Sequence, residues 1–291
     1  MVKRILILPM IVLFSFGVIL AQEDARNADS GQPYNEGNKL ARAEKYKEAI
    51  AEYKKAVAAD ANFAKPNYMM GYCYRKLNDF KNAEIQYKEA IKKDSKFETA
   101  YVALANLQRD SDRITDATNT FEATLVINPE SPKANYGLGK IYYDQKKFSD
   151  ALPYLEQATK GDAKYSLAFN VKGLTLKELR RYDEAENAMQ KAIDAEKRRA
   201  SKGNYYYDLG EILMLAKKYN PAVDALNNAI KMSKSRSRKA GANFNLGKIY
   251  QALGQKQKAL KYYREAAKNN SWKQAAEYEI DIILNPDKYV N

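Results

Sequence analysis

The 291-residue chain has no histidine and one cysteine, Cys73. Without histidine there is no Ser-His-Asp or Cys-His activation of a nucleophile, and no His-ligated zinc or haem. A lone cysteine excludes an intrachain disulfide, a CxxC redox pair and a four-cysteine metal site. Glycine (13) and proline (8) are too sparse for a collagen-like or low-complexity chain. No carboxylate cluster has calcium-loop spacing. Gly137-Leu138-Gly139-Lys140 carries a fragment of a phosphate loop, but the full spacing is missing. Acidic pairs such as Asp183-Glu184 fall at solvent-facing helix starts, where nothing would desolvate them for acid–base work. The expectation is a non-enzyme with no cofactor, no metal and no small-molecule substrate.

What is present begins with a targeting pattern. Met1-Val2-Lys3-Arg4 is positive, residues 5–21 carry no charge, and Gln22-Glu23-Asp24 restores polarity. This is the profile of a secretory signal with a cut after Ala21. Ile19 is larger than ideal for that cut, and Pro9 sits within the run. A retained N-terminal membrane anchor is the alternative. Either way the rest of the chain is expected outside the cytoplasm, in a periplasm or extracellular envelope. Residues 22–29 read as a polar linker. Cys73 reads as a small buried filler.

The remainder repeats with a period of 34 residues. Small residues recur at Gly37, Gly71, Ala105, Gly139, Gly173, Gly210 and Gly247. They recur again at Ala49, Ala83, Ala117, Ala151, Ala185, Ala222 and Ala259, and at Ala56, Ala90, Thr124, Ala158, Ala192, Ala229 and Ala266. Large residues stand in register between them: Tyr53, Tyr87, Phe121, Leu155, Met189, Leu226 and Tyr263. Each unit has two apolar stripes of helical period around a polar break such as Leu77-Asn78-Asp79. That predicts a helical hairpin whose small residues admit close helix approach. One hairpin cannot bury both faces, so the copies must stack.

The pattern resembles the tetratricopeptide repeat (TPR). Its motif stands here as Leu138-Gly139 with Tyr142, then Phe148, Ala151, Leu155 and Ala158, with Asn128-Pro129 closing the preceding repeat. The resemblance implies an all-α, right-handed TPR solenoid of seven helix-turn-helix repeats at 30–63, 64–97, 98–131, 132–165, 166–199, 203–236 and 240–273. A capping helix and tail follow at 274–291. Three extra residues enter near Ala200–Lys202 and three more near Ser237–Lys239. These insertions are expected to lengthen the second helix of a hairpin or its turn.

The resemblance also implies a concave groove lined by the first helix of each hairpin. The groove candidates are Tyr34, Tyr68, Tyr72, Arg75, Arg109, Tyr136, Lys140, Tyr143, Lys177, Tyr207, Phe244 and Lys248. Tyrosine and arginine favour protein contacts, since both combine large area with hydrogen bonding. The expected partner is a protein or peptide, acidic in character. The carboxylate clamp of chaperone-binding TPR domains is absent, because its lysine position is held by the Tyr34–Phe244 series. A second feature is a basic rim: Lys197, Arg198, Arg199 and Lys202, with Lys231, Lys234, Arg236, Arg238 and Lys239. These nine cations make up most of the net charge of +13. They should lie side by side and attract anions. Export argues against nucleic acid, leaving an anionic membrane or cell-wall surface. The reading is therefore a non-enzymatic interaction scaffold of the cell envelope, with an anion-binding envelope protein as the alternative.

Overall fold

A computed structural model describes residues 30–289. The expected signal (1–21) and linker (22–29) lie outside the described residues, as do the last two residues of the tail. Among the described residues there are fifteen α-helices and no strands. The fold is an all-α helical-repeat solenoid.

The first compact unit ends at Asn128. It holds α1 (30–42), α2 (Tyr46–Ala59), α3 (Ala64–Lys76), α4 (Phe80–Lys93), α5 (Glu98–Asp110) and α6 (Ile114–Ile127). The second begins at Pro129. It holds α7 (Pro132–Asp144), α8 (Phe148–Gly161), α9 (Ser166–Glu178), α10 (Tyr182–Ala195), α11 (Arg199–Leu215), α12 (Tyr219–Met232), α13 (Arg236–Ala252), α14 (Lys256–Ala267) and α15 (Asn270–Leu284). Odd-numbered helices α1 to α13 are first helices of hairpins, here helix A. Even-numbered ones are helix B.

The small-residue register is a set of sockets. A Cβ on Gly71 would sit 2.6 Å from the Tyr87 ring, and one on Gly139 2.7 Å from Leu155. Gly210 faces Leu226 and Gly247 faces Tyr263 in the same way. The helix-B side chain sixteen residues on therefore fills the space the missing side chain leaves. Tyr53, Leu155, Leu226 and Tyr263 are wholly buried, as are the seven alanines of the second series. Burying such a large side chain contributes roughly 1.5–3 kcal/mol. Cys73 is also fully buried, and its burial pushes the thiol up to about 11.

Each A–B turn closes through one left-handed residue. Glu44, Asn78, Asp112, Lys146, Arg180 and Lys217 take φ near +60°, and Gly254 takes +71°. In the second hairpin Asn78 N donates to Arg75 O and Asp79 N to Tyr74 O, which satisfies the last carbonyls of α3. Asp79 then caps α4 by accepting from Asn82 N.

The insertions act differently from the sequence expectation. Helices α10 and α12 keep 14 residues. The added residues go to helix A of the sixth and seventh hairpins: α11 and α13 have 17 residues, where α7 and α9 have 13. The B–A connection also shortens, from 162–165 before α9 to 196–198 before α11. The physical reason lies in the connection. Glu196 accepts from the backbone N–H groups of Lys197 and Arg198, fixing the bend immediately after α10. Everything beyond that bend is free to wind into the next helix.

The capping helix also starts earlier than expected, at Asn270 rather than 274. Asn269 caps it by accepting from Ser271 N. Ala276 is fully buried, and Trp272, Ile280 and Ile283 pack on Ala259, Tyr263 and Ala266.

Candidate protein-binding face

In the second unit α7 touches α9, α9 touches α11, and α11 touches α13. The helix-B row α8, α10, α12, α14 shows no comparable succession of contacts. A stack whose one row is drawn together while the other is spread is curved with the close row inside. Helix A therefore lines the inner face of this unit.

The first groove series has a packing role. Tyr68 lies 5.9 Å from the Tyr87 ring and 5.4 Å from Phe97. Tyr34 meets Tyr53 and Phe63, Tyr136 meets Tyr165, and Phe244 meets Tyr263 and Trp272. Phe63, Phe97 and Tyr165 cap α3, α5 and α9 at one repeat position, so each ladder tyrosine is wedged between helix B and the next connection. These side chains are half-buried and hold hairpins together while showing an edge to solvent. Tyr72, with Tyr46 beside it, and Tyr143, with Phe148, are half-buried in the same way.

The groove cations already have partners. Arg75 donates to Asp110 at 2.7 Å, and Arg109 lies 3.3 Å from the same carboxylate. Lys140 pairs with Asp144, and Lys177 lies 3.6 Å from Glu211. Burial would pull Lys177 down, but Glu211 and Glu178 outweigh it and raise it. Lys248 is exposed, with its ammonium 5.9 Å from the Phe244 ring. Four of the five groove cations are thus paired with carboxylates, and Lys248 has only the Phe244 ring beside it.

The inner face of the second unit has a polar centre. Asp208 is 9% exposed; it accepts from Arg238 Nη1 at 3.1 Å and from Asn170 Nδ2 at 3.5 Å. Burial raises its carboxyl above the usual range, against the pull of Arg238. The Arg238 guanidinium also stacks on Tyr207, 5.4 Å from the ring centroid. Asn245 is 5% exposed; its Nδ2 makes no well-formed hydrogen bond among the described residues, though it points its donor toward the Tyr207 hydroxyl. A buried donor with a poorly formed bond is costly, and a ligand group offering a better-placed acceptor would relieve it.

Tetratricopeptide repeat models match residues 34–96, 170–234 and 240–271. The model of anaphase-promoting complex, cyclosome, subunit 3 matches residues 110–192. The chain is a tetratricopeptide repeat protein.

Solved structures agree with that fold. The C-terminal part of a TPR repeat-containing protein from Cytophaga hutchinsonii aligns with a TM-score of 0.64 at 15% identity, covering 83% of this chain and 98% of that one. Pseudomonas aeruginosa pilF aligns at 0.61 and 15% identity, covering 74% and 97%. YrrB, a TPR protein with an unusual peptide-binding site, aligns at 0.53 and 22% identity, covering 65% and 96%. No curated protein matches the chain. TPR proteins bind protein or peptide partners and are typically non-enzymatic scaffolds.

In this TPR protein the sequence reading passed over Asp208 and Asn245. Both stand two residues before the repeat glycine, where the other copies carry Asn35, Met69, Ala103, Gly137 and Val171. A polar residue in the last two copies, at a position that is apolar or small in copies two to five, was the available signal.

The two basic segments of the TPR array lie against one another, and two of their nine cations are paired with acids. Arg199 Nη2 reaches Lys231 O at 3.4 Å, so the two segments lie side by side. A Cβ on Gly203 would fall 2.3 Å from Ser233 N, which places backbone against backbone at this seam. Arg198, however, is paired with Glu196, and Arg238 with Asp208. Neither belongs to a free patch. The acids that pair them lie outside the two basic segments, one just before and one on the inner face. The Arg198 guanidinium and the backbone N–H groups beside it hold Glu196 down to about 2, outweighing burial. The other seven cations make no ion pair among the described residues. Arg199 and Lys202 in α11, and Arg236 and Lys239 in α13, lie in the first turn of their helices, and no acid stands there. The helix dipole disfavours cations at that end by roughly 0.3–1 kcal/mol each at a surface.

Among the described residues no helix is long and apolar enough to cross a membrane. No cluster of three or more Cys, Asp or Glu could hold a metal ion there.

Proposed function

We propose that this TPR protein is an exported, non-enzymatic scaffold of the periplasm or cell envelope. It holds a protein or peptide partner against the inner helix-A face of its second unit. The observation that carries this reading is the under-satisfied centre of that face. Asn245 Nδ2 has only the Tyr207 hydroxyl near it and no well-formed bond, and Asp208 is only partly bonded. A chain segment laid along the face supplies carbonyl oxygens and N–H groups together. Half-buried Tyr143 and Tyr207 offer aromatic contact beside it.

The test is retention of envelope proteins by the immobilised chain. Replacing Tyr143 and Asn245 with alanine should abolish retention while helicity is unchanged. Equal retention by both chains would reject the reading. Export is tested separately: the mature chain recovered from cells should begin at Gln22, and a full-length cytoplasmic chain would reject it. A second reading, anion binding at the basic edge, is favoured by the seven cations that lack a carboxylate partner.

A further inference from the structure

We infer that the edge formed by the starts of α11 and α13 is a docking surface for an anionic phospholipid membrane. This deepens the anion-binding reading and does not depend on the helix-A face.

Three observations lead to a lipid surface. First, the cations are concentrated where they are least favourable. Lys202 and Arg236 stand in the first turns of neighbouring helices, whose free N–H groups are themselves positive. Lys197 and Lys234 lie in the connections just before those turns. An external anion relieves both the mutual repulsion and the dipole conflict. Second, the edge is held as one piece. The Gly203–Ser233 backbone contact and the Asn204–Ser233 side-chain bond fix one segment on the other, so the charges approach a ligand together. Third, the edge lacks what a protein interface needs. The segments 197–202 and 231–239 contain Lys, Arg, Ser, one Ala and one half-buried Met. No aromatic or aliphatic anchor is offered, and lysine is depleted from protein interfaces. A surface dense in exposed cations without apolar anchors fits a plane of mobile phosphate charges.

The experiment uses the full-length chain and phosphatidylcholine vesicles with and without phosphatidylglycerol. Co-sedimentation should occur at low salt with the anionic vesicles and fall steeply at high salt. Each cation near such a surface contributes about fivefold, so replacing Lys197, Lys202, Lys234 and Arg236 with serine should weaken binding on the order of 500-fold. Both chains carry the same residues 1–21, so their difference reads the edge alone. Replacing the three lysines with arginine should preserve binding, which separates charge from folding. The Tyr143 and Asn245 alanine chain should bind vesicles normally even if its partner is lost. Equal binding to neutral vesicles, no loss in the serine variant, or capture by a soluble polyanion such as dextran sulfate in preference to vesicles would each overturn the inference.

Discussion

At the scale of single residues, Glu196 decides the geometry of the sixth hairpin. It is buried, accepts two backbone N–H groups, and is paired with Arg198. Replacing it with glutamine should destabilise the chain by about 1–3 kcal/mol in urea unfolding at neutral pH. The pH dependence has a definite sign. The folded-state carboxyl is depressed to about 2 from an ordinary 4.5. Its stabilisation is therefore complete above the unfolded value and is lost as pH falls through the window between the two. The glutamine chain should lack that component of acid sensitivity, and identical acid profiles would refute the assignment. Glu196 and Asp208 were the hardest residues to read from sequence. The sequence showed two runs of cations, but which of those cations bend back onto an acid depends on where the next helix starts.

At the scale of elements, the hairpins were legible because sterics wrote them. A glycine and a large residue sixteen positions later, repeated down the chain, leave little choice of packing. Helix length was less legible, since the same inserted residues suit the end of α10 or the start of α11 equally well by propensity. Backbone contact decides it, and Gly203 is the residue that permits that contact. Gly203→Ala would press a methyl group on the Ser233 backbone, which cannot rotate away. It should cost about 1–3 kcal/mol or more by thermal unfolding. The A–B turns give the opposite expectation. Arg180 takes φ +60° where the seventh hairpin uses Gly254. Relief of the left-handed strain exceeds the added chain entropy of glycine, so Arg180→Gly should stabilise by about 0.5–1 kcal/mol. A destabilised Arg180→Gly chain would mean the arginine makes a contact worth more than the strain.

At the scale of the molecule, repeat arrays draw stability from neighbours, and cooperativity need not extend from end to end. The chain carries its own reporter of this. Its one tryptophan, Trp272, packs on Phe244 at the C-terminal cap. Tryptophan fluorescence should follow loss of the cap, while circular dichroism follows all helices. The two unfolding midpoints should differ. Coincident transitions would show the array to be one cooperative unit.

The lengthened helices have one more consequence. Counted back from the repeat glycine, α11 and α13 start four residues earlier than α7 and α9. At the rise of an α-helix, their tips stand about 6 Å beyond those neighbours. A flat body meeting that side of the second unit touches the two tips before anything else. Contact through the tips sets the helix axes upright on the body, and the inner helix-A face then opens sideways. A molecule standing in that posture keeps its inner helix-A face clear of the surface beneath it.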